Sequence, residues 1–260
     1  ATPRQKSAAA TSVIATPPLQ TAREIFDQFV AQGYTLERVR AETAAVPRVL
    51  ASVLPRDLPQ IESADQRKQV FINMLLPLLL AENERILANR ERVAGLRERV
   101  LEAEPLAGAD LDWLAAMAQR YGTGVGDLDE LLRRVDAVPP SLAIAQAALE
   151  TGWGTSRVAQ RGNAMFGQME MRDAIFAVKT FDDLASAVSA YTHNLNTNRA
   201  YANFRAERAN FRERGLDADG HELALHIARY SERGMDYVRD VRVIIRSNNL
   251  RPLERAKLEG

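Results

Sequence analysis

Apolar residues recur at helical spacing through most of the 260-residue chain and read as a strand in few places. Ile25, Phe26, Phe29 and Val30 share one side of a short helix over 21–31, which Gly33 breaks. Residues 35–53 read as helix again, up to Leu54-Pro55. The longest pattern runs from about 64 to 103. Val70, Phe71, Met74, Leu75, Leu78 and Leu79 are its apolar core, and Ile86, Leu87, Val93 and Leu96 continue it. Pro77 predicts a kink or a break there. Gly108 and Asp110 introduce a helix with Leu111, Trp113, Leu114, Met117 and Ala118 inward, and Asp127 begins another carrying Leu128, Leu131, Leu132 and Val135.

Beyond residue 137 the pattern tightens. Pro139 and Pro140 stop what precedes, Ser141 is a good N-cap, and Leu142 to Leu149 hold one strongly polar side chain, Gln146. This segment predicts a short buried helix ending on Glu150, closed by Gly152 in the left-handed conformation. A further helical turn over 156–161 stops at Gly162-Asn163, and Met165-Phe166-Gly167 reads as a short strand. Ala174 to Phe181 is the best strand candidate. Asp182-Asp183 start a helix reaching about 198, followed by helices over 201–214, 222–230 and 236–248, the last burying Val238, Val241, Ile244 and Ile245. Residues 1–20, rich in Ala, Thr, Ser and Pro without period, read as a flexible tail, and 251–260 as a C-terminal tail. The chain is therefore mainly α with a small β element: a helical N-terminal region over 21–137, then a second domain over 138–250. A generic helical bundle fits the pattern equally well.

Charge and composition narrow the function. Lys plus Arg and Asp plus Glu each number 34, so there is no basic field for nucleic acid. Arginine alternates with acidic residues, as in Arg90-Glu91-Arg92, which is the habit of solvated helix faces. The absence of cysteine excludes disulfides, thiolate catalysis and thiolate metal sites. His193, His221 and His226 form no metal-binding spacing, so neither metal nor cofactor is expected. The longest apolar run, Met74 to Ala81, is far short of the ~20 residues of a membrane span. The chain starts at Ala1 without Met or an export segment, which fits a signal already removed or a piece begun at this point.

Glu150 is the residue with the most chemistry in it. Apolar bulk around a carboxylate disfavours its charge, and the negative end of a helix dipole disfavours it again. Both raise the pKa, as a general acid near neutral pH requires. A solvated Glu at a frayed helix end is the plain alternative.

The segment Ala148-Leu-Glu-Thr-Gly-Trp-Gly-Thr-Ser156, followed by Gly162-Asn-Ala-Met-Phe-Gly167, resembles the signature of bacterial glucosaminidases of glycoside hydrolase family seventy-three. Their usual blocks are Glu-Ser-Gly-Trp-Gly and Asn-Leu-Phe-Gly. Leu54-Pro-Arg-Asp-Leu-Pro-Gln60, Phe71-Ile-Asn-Met-Leu-Leu-Pro-Leu-Leu-Leu80 and Glu82-Asn-Glu-Arg-Ile-Leu-Ala-Asn-Arg90 are similar to the Bax-type branch, which are envelope proteins. The resemblance spans roughly 35–250. It implies a lysozyme-like domain over 138–250, with a helical lobe, a small β-lobe and a cleft between them. It implies an endo-β-N-acetylglucosaminidase of the cell envelope, acting on peptidoglycan or a related N-acetylglucosamine-containing glycan, periplasmic and without cofactor. A lytic transglycosylase and a non-catalytic glycan-binding or scaffold protein are the alternatives.

The same resemblance places the general acid at Glu150. Tyr230-Ser231 with Tyr237 looks like the family's Tyr-Ala-Thr…Tyr block and carries a cleft role to Tyr230. Trp153, Asn163, Phe166, Tyr191 and Tyr237 are candidates for sugar contact. Tyr237 and Phe166 are more often core residues; for Trp153 packing beneath the pocket is the alternative, and for Asn163 an ordinary helix stop. Family members often have a longer β-lobe that carries a second acid; here only Gln168 to Asp173 precede the strand, so Glu170 and Asp173 are the local candidates. Asp182 and Asp183 lie beyond it, where helix capping is their simpler use.

Overall fold

Helical spacing becomes helix almost throughout the computed structural model, which describes residues 21–172 and 175–260. Eleven helices and one hairpin follow in order. They are α1 (Ala22–Ala31), α2 (Leu36–Arg40), α3 (Ala64–Leu101), α4 (Gly108–Tyr121), α5 (Leu128–Arg134), α6 (Pro140–Thr151) and α7 (Arg157–Gly162), then the hairpin of β1 (Met169–Arg172) and β2 (Ile175–Val178). After it come α8 (Leu184–Thr197), α9 (Ala202–Glu213), α10 (Gly220–Leu223) and α11 (Met235–Ser247). The tail expected over 1–20 lies outside the described residues.

Helix α3 passes straight through Pro77 without a break. Proline has no N–H, so the carbonyl four residues earlier loses its helical donor. That carbonyl is Asn73's, and the buried Tyr34 hydroxyl donates to it at 3.2 Å. The orphan acceptor is satisfied from outside, and the helix continues.

Residues 35–53 do not form one helix. α2 stops at Arg40, Glu42 takes a left-handed φ of 57°, and Val46 leaves to bridge Leu258 in parallel. Val46 precedes Pro47, a position pushed towards extended backbone. Similarly, Met165-Phe166-Gly167 is a bend rather than a strand, and the first strand begins at Met169. Ser141 is the second helical residue of α6 rather than its N-cap, which is Pro139. Leu111, expected inward on α4, is exposed.

Every residue of α6 from Pro140 to Ala148 is buried, so this helix needs neighbours all round. It gets them from α3, α10, α11 and the 3-10 turn Arg251–Arg255. The hydrophobic core around it draws on α1, α2 and the first half of α3 as well as on residues 138–258. A second, smaller cluster joins Ile86, Val93 and Leu96 of α3 to α4 and α5. The core therefore does not divide at 137/138: the first half of α3 belongs to the same packed body as α6. The last ten residues are part of it too, with Leu253 and Leu258 buried.

The hairpin pairs Met169 with Val178 and Met171 with Phe176, antiparallel. It is short, and Met169, Met171, Ile175 and Phe176 are exposed.

Candidate active site

Glu150 occupies the last turn of α6, and the backbone beyond it makes an unusual turn. Gly152, Trp153 and Gly154 have φ of 58°, 61° and 78°, three consecutive left-handed residues. Glycine adopts this freely, whereas a side-chain-bearing residue in αL costs roughly 1–2 kcal/mol. Trp153 is held there by contact: its ring meets Phe71 edge-on at 5.8 Å, and the Lys68 ammonium lies 5.4 Å from its centroid. Thr151 locks the turn, its hydroxyl donating to Ala147 O at 2.6 Å and accepting from Gly154 N at 2.8 Å. A Cβ on Gly154 would stand 2.9 Å from Leu58 and Phe71, so the chain can pass there only without one.

The Glu150 carboxylate rests on Gly167. A Cβ at Gly167 would lie 2.5 Å from Glu150 Oε2, and its φ of 61° is left-handed as well. Any side chain at 167 would displace the acid. Tyr230 fixes this second turn from the far side, its hydroxyl donating to Phe166 O at 2.7 Å.

Burial raises the pKa of Glu150, with a hydrogen bond from the Tyr237 hydroxyl and the positive charge of Arg233 pulling it partly back. The helix C-terminus acts in the same direction as burial. Behind Tyr237 runs a chain of donors through the core. Tyr191 OH donates to Gln146 Oε1 at 2.8 Å, Gln146 Nε2 donates to Tyr237 OH at 3.0 Å, and Tyr237 donates to Glu150. Gln146 and Tyr237 each accept from the group before and donate to the group after. Gln146, the one polar side chain of an apolar helix, therefore sets the direction of the Tyr237 hydroxyl. The sequence signalled it as the lone polar residue of the run but gave it no task. Gly167 was likewise legible only as part of a block.

The remaining predicted residues fall into two groups. Phe166, Tyr191 and Tyr237 are 1%, 0% and 2% exposed, so their rings offer no face to a sugar. They form a stack under the site: Phe166 on Tyr191 at 4.0 Å and Tyr237 on Tyr230 at 5.8 Å, both near-parallel. Asn163 is buried too. It caps α7 at φ 50°, and its amide donates to Phe181 O at 3.0 Å and Asp182 O at 3.2 Å, leaving no N–H for an acetamido group. Direct sugar contact by these four is thus corrected to a supporting role. Trp153 and Tyr230 keep partly exposed surfaces.

Of the carboxylates, Glu170 is bound to Arg172, two residues on along the same strand, at 2.7 Å. Asp183 caps α8 through Ser186 N at 2.7 Å, and Asp182 is exposed beside it. Asp173 lies outside the described residues. Among those described, no group of three or more His, Asp or Glu could hold a metal ion, and no helix is long and apolar enough to cross a membrane.

A buried helix thus ends on a carboxylate whose pKa burial raises, beside a glycine turn. The family described as mannosyl-glycoprotein endo-beta-N-acetylglucosaminidase matches residues 127–250. The chain belongs to this glucosaminidase family, in its Bax-type branch, and its glucosaminidase domain is lysozyme-like. Protein bax of Escherichia coli (strain K12) is 32% identical over 204 residues, covering 72% of this chain and 71% of the relative. No solved structure matches. Membership supports a glycan-hydrolysing or glycan-related function.

Proposed function

We propose that the protein is an endo-β-N-acetylglucosaminidase of the cell envelope, acting in the periplasm on peptidoglycan or a related N-acetylglucosamine-containing glycan. The observation that carries this reading is the environment of Glu150: burial raises its pKa, and Tyr237 and Gly167 hold its position. Glycosidic cleavage needs an acid that protonates the leaving oxygen while positive charge develops at the anomeric carbon. Glu150 supplies that proton to the β-1,4 bond on the reducing side of N-acetylglucosamine. The catalytic module comprises residues 138–250, with the first half of α3 as part of its core.

A second reading draws on the carboxylates. Burial, Tyr237 and Arg233 account for the shift of Glu150, and no second acid among the described residues contributes to it. A single acid suits a lytic transglycosylase, in which the sugar's own hydroxyl closes the ring. It also suits a hydrolase in which the substrate's N-acetyl group attacks. Tyr230, on this proposal, lines the cleft with its partly buried ring and holds the Phe166-Gly167 turn in place.

Mass spectrometry of borohydride-reduced products from purified peptidoglycan separates the readings. A reduced N-acetylglucosamine end supports the hydrolase. A 1,6-anhydromuramic end assigns the transglycosylase, and no cleavage by the wild type assigns a binding or scaffold role.

A further inference from the structure

Tyr230 is shared between the Glu150 site and a second, open cavity of about 810 Å³. The hydroxyl of this same tyrosine donates to the Phe166 carbonyl, one residue from the glycine on which the acid rests, so a single residue links cavity and site. Its polar lining includes Arg199, Asn203, Arg229, Ser231 and Glu232.

Arginines on and beside α11 are already committed: Arg233 pairs with Asp240 and Arg239 with Asp236. Arg199 and Arg229 differ. Both are exposed, both face the same cavity, and among the described residues neither has an ion-pair or side-chain hydrogen-bond partner. The Asn203 amide is equally uncommitted among those residues, and Ser231 Oγ accepts from Arg233 N at 3.3 Å, leaving its own proton to donate. Glu232 is the one carboxylate on the rim, so two guanidinium groups against one acid leave the cavity net positive. The chain as a whole is neutral, so this is a local feature.

A neutral N-acetylglucosamine polymer has no group that would use two free guanidinium forks. A carboxylate has, because the planar fork of arginine matches its two oxygens in a charge-assisted, bidentate pair. We infer that the Arg199–Arg229 cavity is an anion-recognising subsite, which takes a carboxylate carried on the glycan strand and selects acidic, peptidoglycan-type strands over neutral ones. This rests on the glycan-cleaving reading above. The carboxylate source is either the lactyl ether of the sugar or the peptide attached to it; both present the same group.

The test is a specificity ratio. Purified full-length protein is assayed on peptide-bearing glycan strands, on strands stripped of peptide but keeping the lactyl carboxylate, and on neutral chitin oligosaccharides. In the wild type, kcat/KM favours the acidic strands, and the preference shrinks as salt is raised. In the double variant Arg199→Gln/Arg229→Gln the ratio of acidic to neutral kcat/KM falls roughly tenfold, through KM, as expected for loss of hydrogen bonds to a charged group. Arg199→Lys/Arg229→Lys keeps the charge and regains part of the ratio. Melting curves verify that the variants fold. Loss of the preference on stripping the peptide assigns the peptide carboxylates, and its retention assigns the lactyl group. A wild type without preference, or a double variant with the wild-type ratio, overturns the inference. If the wild type cleaves none of the three, the glycan-cleaving reading fails instead. Calorimetric binding of the same soluble strands to wild type and double variant then decides the subsite alone, with equal affinities counting against it.

Discussion

Two carboxylates bracket the central helix, and burial treats them alike while their neighbours do not. Asp136 lies just before α6 and is 2% exposed; Glu150 lies at its end. Burial pushes both towards the protonated form. At Asp136 the push is overcome. Arg208, Arg212 and Arg90 surround it, with Arg212 Nε at 2.9 Å and Arg90 Nη1 at 3.5 Å, and its pKa ends below the usual carboxylate range. Its own loop adds a donor, Ala137 N at 2.9 Å. At Glu150 one phenol and one more distant guanidinium answer the burial, and the pKa ends above that range. The difference separates an anion used to fasten α3 and α9 to the loop before α6 from a carboxyl group that keeps a proton available. Counting cationic donors, rather than burial, distinguishes the two.

The sharpest way to break this distinction is to remove the proton from one site and the charge from the other. Glu150→Gln keeps volume but has no transferable proton, and turnover should fall on the order of 10²–10⁴-fold. Activity within threefold of wild type would sink the assignment. Stability should move the other way. The folded pKa of Glu150 is raised, so the unfolded chain releases this proton first as pH rises, and ionisation takes stability away between the two pKa values. The Gln variant should therefore melt no lower than wild type at neutral pH, and any advantage should vanish in acid.

Asp136→Ala should do the opposite. It strands Arg208, a 2% exposed guanidinium whose Nε already lacks a hydrogen bond, and leaves Arg212 and Arg90 without their shared partner. Removing one side of a buried ion cluster costs about 3–5 kcal/mol. Denaturant titration should show that loss, with the specific activity of the remaining folded protein near normal. The sign with pH is also reversed. The folded pKa of Asp136 is lowered, so its stabilisation is present above the unfolded value and is lost as pH falls through the folded one, below 3.8. A wild type whose stability is flat from neutral pH down to pH 3 would contradict this.

What was readable in the sequence follows the same physics. The helix ending on Glu150 was legible because its apolar run, its flanking prolines and Gly152 are all local signals. The mainly helical fold and the second strand of the hairpin were legible for the same reason, whereas the first strand was placed at 165–167 and begins at Met169. The Asp136 cluster was not, since its arginines come from residues 90, 208 and 212, and only tertiary packing brings them together. The buried aromatic stack left two uses open, sugar contact or core, because an aromatic residue in a family block looks the same whether its ring faces the cleft or the core; burial favours the core. The continuity of α3 through Pro77 depends on Tyr34, a partner 39 residues away from the carbonyl it satisfies.

The two tyrosines at the site sharpen the contrast further. Tyr237 bonds the acid itself, whereas Tyr230 bonds the backbone that supports it. Tyr237→Phe removes a hydrogen bond that lowers the Glu150 pKa and leaves Gln146 Nε2 without its acceptor. The alkaline limb of the rate profile should move to higher pH, with turnover down roughly tenfold, the scale of one hydrogen bond to a charged group. Tyr230→Phe should lower the rate without moving that limb. Equal shifts in both variants would show that the donor line through Gln146 does not govern the acid.

The smallest effects are expected at the carboxylates outside this pair. Glu170 faces Arg172 on the hairpin, and both are solvent-accessible, so Glu170→Gln should leave melting nearly unchanged, in keeping with the ~0–1 kcal/mol of exposed ion pairs. Asp183→Ala deletes the cap that accepts Ser186 N and should cost about 0.5–2 kcal/mol of stability. Asp182→Asn, at an exposed position, should do less. None of the three should approach Glu150→Gln in its effect on rate. The argument is electrostatic: a partner acid close enough to share the reaction would raise the Glu150 pKa by like charge, yet burial is what raises it among the described residues. Asp173 completes the series, tested as Asp173→Asn with the same two readouts. If any one of the four falls to the Glu150→Gln level with an unchanged melting curve, the cleft works with two carboxylates, and that residue is the second.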